Sequence, residues 1–429
     1  MRLVLIALSA CLFPASFALA DDAPTLIVHH GKIVTVDPEF TIAEAMAVRG
    51  DRILAVGSNE DVLKLAGPRT EKLDLGGKTV LPGLIDSHTH PTGAAMYEFD
   101  HPVPEMETIA DVLAYVARRA EQLEDGEWIR LRQVFITRLR DQRYPTRREL
   151  DQAAPNNPVL FSTGPDAALN SLALELSGID KDFQITDGGT GYIERDPNTG
   201  EPTGILRSCT RLVKHKSSER DSTAEDRYAR LKQLFADYNA AGITSISDRN
   251  ASDSAIELYQ KLKDNGELTC RVYCYQSVDA QSSIEEIEER ITKASQNPLH
   301  EYDPMLRVRG IKVFLDGGML TGSAYMRRPW GTSDIYSIND PDYRGLLYIE
   351  PEKLQAIVRL AFEHEMQMTA HSVGDGAVHA LIDAYEAVGK EIPIGKKRPC
   401  ITHSNFMSLE AIEKMQRLGI VADLQPAWL

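Results

Sequence analysis

From Ala224 onward the apolar positions alternate between two periods. Apolar residues three or four apart predict helices over 224–241, 254–264, 283–296, 351–365, 376–388 and 408–418. Short continuous apolar runs at 242–248, 270–276, 310–316, 366–372, 400–404 and 419–426 predict buried strands between them. Thr223 is placed to cap the first of these helices, and Pro351 fills the first turn of the fourth. Strands and helices alternating at this length require a parallel sheet with helical crossovers. One more apolar run, Val80 to Ile85 within TVLPGLIDSHTHP, lies between Gly76-Gly77 and a polar exit, and predicts a fully buried strand over 80–86. The count is seven strands, where a closed α/β barrel takes eight.

The chain before Ala224 has a different texture. Residues 25–74 alternate β-rich runs with turns at Gly31-Lys32 and Gly50-Asp51, which predicts a small β-domain with His29 and His30 as structural residues of its first strand. Thr108 with Asp111 three residues on, then apolar Ile109, Val112, Leu113, Val116 and Leu123, predicts a capped helix over 108–124. Strands are predicted at 128–135 and 158–162, and NSLALELSGI predicts a short helix.

With 429 residues there is room for a barrel of roughly 200 to 300 residues and a smaller domain. A formal net charge of −16 argues against nucleic acid and anionic membrane as partners. Met1-Arg2, an apolar stretch to Phe13 and the ending Ala18-Leu19-Ala20 form an export leader over 1–20, too short to span a bilayer, which predicts a periplasmic or secreted protein. A lipoprotein leader ending at Cys11 is the lesser alternative, because the residues after Cys11 stay apolar. Beyond the leader no segment could cross a membrane. Cys270 and Cys274 share a strand about 13 Å apart, too far to bridge, so no disulfide framework is expected.

The chemistry concentrates at strand ends. His88 and His90 project to one side of an extended chain, about 6.5 to 7 Å apart along it, close enough for both imidazoles to hold one cation. Lys312 interrupts the apolar strand GIKVFLD, and a buried lysine must be paired, deprotonated or chemically modified. His371 and His403 end the strands MQMTAHS and CITHS. Four of the eleven histidines thus fall at the carboxyl ends of three strands, where barrel enzymes build their sites. His364 and His379 fall in helices and read as structural. Asp316, Ser372, Asp375 and Gln425 lie near strand ends as weaker candidates for contact with a small-molecule substrate.

The run PGLIDSHTHP resembles the first-strand motif of the amidohydrolase superfamily, and GIKVFLDGG, TAHS and ITHS narrow the likeness to its amidohydrolase-3 (YtcJ-like) branch. The resemblance implies a TIM-like barrel over 79–429 with an insertion at about 95–220, and a β-sandwich segment over 21–78. It implies one or two divalent ions, zinc by default, with His88, His90 and a CO2-derived carbamate on Lys312 at one, and Lys312, His371 and His403 at the other. The implied reaction is hydrolysis of an amide, N-acyl or cyclic amide bond by hydroxide on the metal. The aspartate that such enzymes carry on an eighth strand would lie beyond Leu429, which leaves the catalytic residue unknown and predicts a C-terminally incomplete barrel. Asp423 sits within the seventh strand in a register that does not suit that role. Where the family segment carries Gly-His, this chain has Pro165-Asp166. A truncated, non-catalytic metal-binding protein and a phosphotriesterase-like hydrolase stay open as alternatives, as does assembly into a homo-oligomer.

Overall fold

The computed structural model describes residues 23–132, 134–216 and 220–425. The predicted export leader with Cys11, and Pro426, the last residue of the seventh predicted strand, lie outside them. Two compact units divide between Gly83 and Leu84.

The first unit holds a four-stranded sheet of Leu26–His29, Ala45–Arg49, Arg52–Gly57 and Glu71–Asp74, and a three-stranded one of Lys32–Val34, Ile42–Ala43 and Thr79–Val80. Ile27, Ala45 and Ala47 of the larger sheet are buried together with Val62 of the short helix Asn59–Leu63. His30 adopts a left-handed φ of 53° at the turn after the first strand. Its Nδ1 lies 2.9 Å from Asp74 and 3.1 Å from His29 Nδ1, so both histidines fasten this turn.

In the second unit seven parallel strands form one sheet. They are β1 (Leu84–Thr89), β2 (Ile243–Ala251), β3 (Arg271–Ser277), β4 (Leu306–Phe314), β5 (Gln367–Ser372), β6 (Cys400–His403) and β7 (Val421–Asp423). Each hydrogen-bonds to its neighbour in sequence, from β1 to β7. The crossovers are α1 (Ala224–Ala240), α2 (Asp253–Asp264), α3 (Ile284–Ser295), α4 (Pro351–Glu363), α5 (Asp375–Gly389) and α6 (Leu409–Leu418). The period-2 alternation of β4 sends Ile311 and Val313 out against buried residues of these helices, such as Leu354, Ile357 and Leu381, and Lys312 to the opposite face. The six helices and six of the strands sit within a few residues of their predicted places.

The first strand differs. Thr79–Val80 pairs with Lys32–Val34 in the small sheet, and β1 begins only at Leu84. Leu84 and Ile85 are 58% and 71% exposed, not buried as the apolar run predicts. β1 ladders with β2 alone, so a composition typical of an interior strand lies on a sheet edge. No described helix is long and apolar enough to cross a membrane. Cys209, Cys270, Cys274 and Cys400 are buried free thiols.

Residues between β1 and α1 build a five-stranded sheet in the order Tyr192–Arg195, Pro202–Arg207, Asp166–Leu169, Val159–Thr163, Ile129–Leu131. The helix Ile109–Gln122 covers one face, capped reciprocally by Thr108 and Asp111 as predicted. The strand expected over 128–135 shortens to three residues, because its partner accepts it only from Val159 to Phe161. A 3-10 turn, Ile136–Arg138, follows.

Close approach of β4 and β5 depends on Gly310. A Cβ there would stand 1.9 Å from the Gln367 carbonyl oxygen and 3.0 Å from the Tyr275 ring. Gly310→Ala is therefore expected to cost about 1 to 3 kcal/mol by overpacking and to lower the thermal unfolding midpoint by several degrees. An unchanged midpoint would mean that the two strands separate there without cost.

Candidate metal centre

Parallel pairing brings every strand's carboxyl end to one rim, and register decides what meets there. Lys312 lies beside Thr369 and Ser277, His371 beside Phe314 and Thr402, and His403 beside Ser372. His88 lies within β1, whereas His90 is just past it and caps the helical turn Pro91–Ala95. His88, His90, Lys312, His371 and His403 all line one cavity of about 640 Å3.

The imidazoles are close-packed. His88 Nε2 and His90 Nε2 are 3.3 Å apart, about the separation that two bonds of ~2.1 Å make at a tetrahedral angle. The His403 ring centre lies 4.9 Å from that of His88 and 4.5 Å from that of His371. His403 reaches this position through a left-handed turn, φ 79°, continued by Ser404 at φ 52°, which ends β6 abruptly.

Three of the four histidines hold a fixed proton. His88 Nδ1 donates to Asp423 Oδ2 at 3.3 Å, His403 Nδ1 to Gln425 Oε1 at 2.5 Å, and His371 Nε2 to the Gly317 carbonyl at 3.0 Å. Each is left with a lone pair on its other ring nitrogen, the form in which histidine binds a cation. Burial, the largest cause, pushes His88 and His403 below the ordinary imidazole range and His371 to about 3, with the Lys312 charge acting in the same direction. Lys312 is 1% exposed. Burial, then the Arg249 guanidinium, lowers its amine to about 7 despite the opposing Asp423 charge. Neutral imidazoles and a buried amine near neutrality form the kind of donor set a divalent cation takes.

Asp423 has a place that its position in β7 did not announce. One carboxylate oxygen accepts the Ser87 hydroxyl at 2.6 Å. The other lies 3.3 Å from both His88 Nδ1 and Arg249 Nε. Burial raises this carboxyl, but the His88 hydrogen bond and the Arg249 charge outweigh it and hold it below its ordinary range. Arg249 also donates to the Ser87 carbonyl at 2.8 Å and lies 4.1 Å over the Tyr275 ring. Asp248 lies 3.6 Å from His90 Nδ1 and accepts the Tyr259 hydroxyl at 2.8 Å.

The weaker candidates divide. Asp316 and Gln425 line the cavity. The Asp316 carboxylate accepts the backbone N–H groups of Tyr325, Val373 and Gly374 at 2.8–3.0 Å, while burial raises it to about 7. Ser372 is fully buried, and Asp375 binds the Arg327 N–H at 2.8 Å; neither is among the cavity-lining residues. Gly164-Pro165 forms a two-residue hairpin turn that brings Pro165 to the cavity. Asp166 turns the other way, to Arg207 at 3.2 Å in the interior of the inserted sheet. His364 bonds Ser295, and His379 bonds Ser408, both away from the rim.

The family model described as "Amidohydrolase family" matches residues 71–429. N-substituted formamide deformylase of Arthrobacter pascens is 30% identical over 375 residues, 85% of this chain and 66% of that protein. This chain thus spans just under two thirds of that relative's length. Putative amidohydrolase YtcJ of Bacillus subtilis is 26% identical over 413 residues, 93% of this chain and 72% of that protein. An uncharacterized metal-dependent hydrolase from Pyrococcus horikoshii has the same fold, with a TM-score of 0.63 at 21% identity over 94% of this chain and 75% of that one.

The low Lys312 value carries a sign. An amine at about 7 in the folded protein and near its ordinary 10.5 when unfolded binds fewer protons folded, so stability rises with pH between those values. Metal-free protein in CO2-free buffer is expected to unfold at higher temperature at pH 9 than at pH 7. Lys312→Met should flatten that rise, and an equal slope in the variant would place the cause elsewhere.

Proposed function

The chain belongs to the amidohydrolase family, and from that premise we propose that it is a metal-dependent hydrolase cleaving a carbon–nitrogen bond of the amide, N-acyl or cyclic amide kind. The observation that carries this reading is the convergence of His88 Nε2 and His90 Nε2 to 3.3 Å beside the rings of His371 and His403, on the wall of a cavity large enough for a substrate. His88 and His90 would hold one divalent ion, zinc by preference for this donor set, and His371 and His403 a second. Lys312, as a carbamate, would bridge the two. When bound, the ions lower the pKa of water and polarise the carbonyl to be attacked.

The chain's own groups prepare that chemistry. Gln425, the Gly317 carbonyl and Asp423 fix which nitrogen of His403, His371 and His88 carries a proton, so the remaining lone pairs are set before any ion arrives. Burial brings the Lys312 amine to about 7, so that a substantial fraction is free of its proton near neutral pH, the form that adds CO2.

Hydrolysis of a panel of N-acyl, simple and cyclic amides should appear on adding zinc and vanish with a chelator; failure of metal-loaded protein to cleave any amide would overturn the reading. Lys312→Ala is expected to lose bound metal and activity, with partial recovery in millimolar acetate or propionate, and unchanged metal content by elemental analysis would sink the bridging role. Asp423→Asn should weaken metal binding about 10- to 100-fold and also lower the unfolding temperature, because buried Arg249 loses the carboxylate beside it. Equal affinity would mean that Asp423 does not orient His88.

A further inference from the structure

We infer that the substrate of this site is an uncharged amide bearing an aromatic or branched aliphatic group, and that amides bearing a carboxylate are rejected. The inference rests on the hydrolase reading above and adds the substrate class. The lining of the cavity divides by chemistry. Of the lining groups able to carry charge, Lys312 and the four histidines belong to the candidate metal centre, and the Asp316 carboxylate already receives three backbone N–H groups. The rest of the wall is largely apolar, made by Phe135, Pro165, Phe314, Met319, Leu320 and Tyr348. Its polar members, Thr89, Thr321, Asn405 and Gln425, are neutral, and Gln425 is engaged by His403.

Local structure holds this wall in place. Phe135 leads into the 3-10 turn Ile136–Arg138, and Met319 and Leu320 form another over Met319–Thr321, closed by Gly322 in a left-handed conformation. Gly164, at φ 66°, makes the tight hairpin that brings up Pro165. Arg207, the buried cation of the inserted sheet, is turned inward to Asp166 and to the Thr321 carbonyl, and is not among the cavity-lining residues. A carboxylate entering against this apolar wall would leave water without a cation among its described residues to replace it, whereas an aryl or branched alkyl group would bury its surface. About 640 Å3 accommodates such a group together with the amide.

The test compares matched amides that carry a benzyl group or a carboxyethyl group, on the acyl side in one pair and on the amine side in the other, with zinc-loaded protein. In at least one pair the benzyl amide should exceed the carboxylate in kcat/KM by about 100-fold or more. Equal or better turnover of the carboxylates would overturn the inference and leave amide hydrolysis standing. Cleavage of small unsubstituted amides alone would also overturn it. Calorimetric binding of the same pairs reads the wall independently of turnover: if no amide is cleaved, the hydrolase reading fails, while preferential binding of the benzyl member would still support the apolar site. Leu320→Arg supplies the missing cation and should narrow the benzyl-to-carboxylate ratio at least tenfold. A ratio unmoved in this variant would show that the substituent does not lie against Leu320.

Discussion

The carboxylate of Asp423 holds the two ends of the barrel sheet to one another. β1 and β7 share no backbone ladder, yet Ser87, His88 and Arg249, from β1 and its neighbour β2, all reach this one side chain of β7. Without it the His88 Nδ1 proton would lose its acceptor, and the guanidinium of Arg249 would lose the carboxylate 3.3 Å from its Nε, a costly condition at this depth. The positions of His90, His371 and His403 are meaningful only relative to a His88 fixed in this way. The metal centre therefore depends on a contact between residues more than 300 positions apart in the chain.

Much of this is legible in the sequence alone. Strand–helix alternation from Ala224 onward dictates a parallel sheet, and a parallel sheet dictates that His88, Lys312, His371 and His403 meet at one rim. What periodicity could not supply was the partner of each strand face. Asp423 is not legible as a partner of His88 because a strand over 419–426 gives parity but not which residue of another strand lies opposite, and the observed β7 is shorter. Leu84 and Ile85 misled for a related reason: an apolar run specifies a residue's preference for burial, and an edge position with one ladder partner does not meet it.

The inserted region was the least legible. Its helix was announced by a reciprocal Thr108–Asp111 cap, a local device. Its sheet, which runs antiparallel in three of its four pairings and draws on strands far apart in sequence, was not. The Pro165-Asp166 departure gains its meaning only here, since the fold separates the two neighbours, one toward the cavity and one toward Arg207.

That separation bears on how such a protein diversifies. The groups suited to chemistry stand on strands whose ladders and buried neighbours tolerate little change, while Phe135, Pro165 and Leu320 stand on short turns outside the barrel sheet. Exchanges at those turns can accumulate one at a time without disturbing the ligand geometry. A lineage built on this plan can explore new substrates by drift in its turns, and the reaction itself is inherited unchanged.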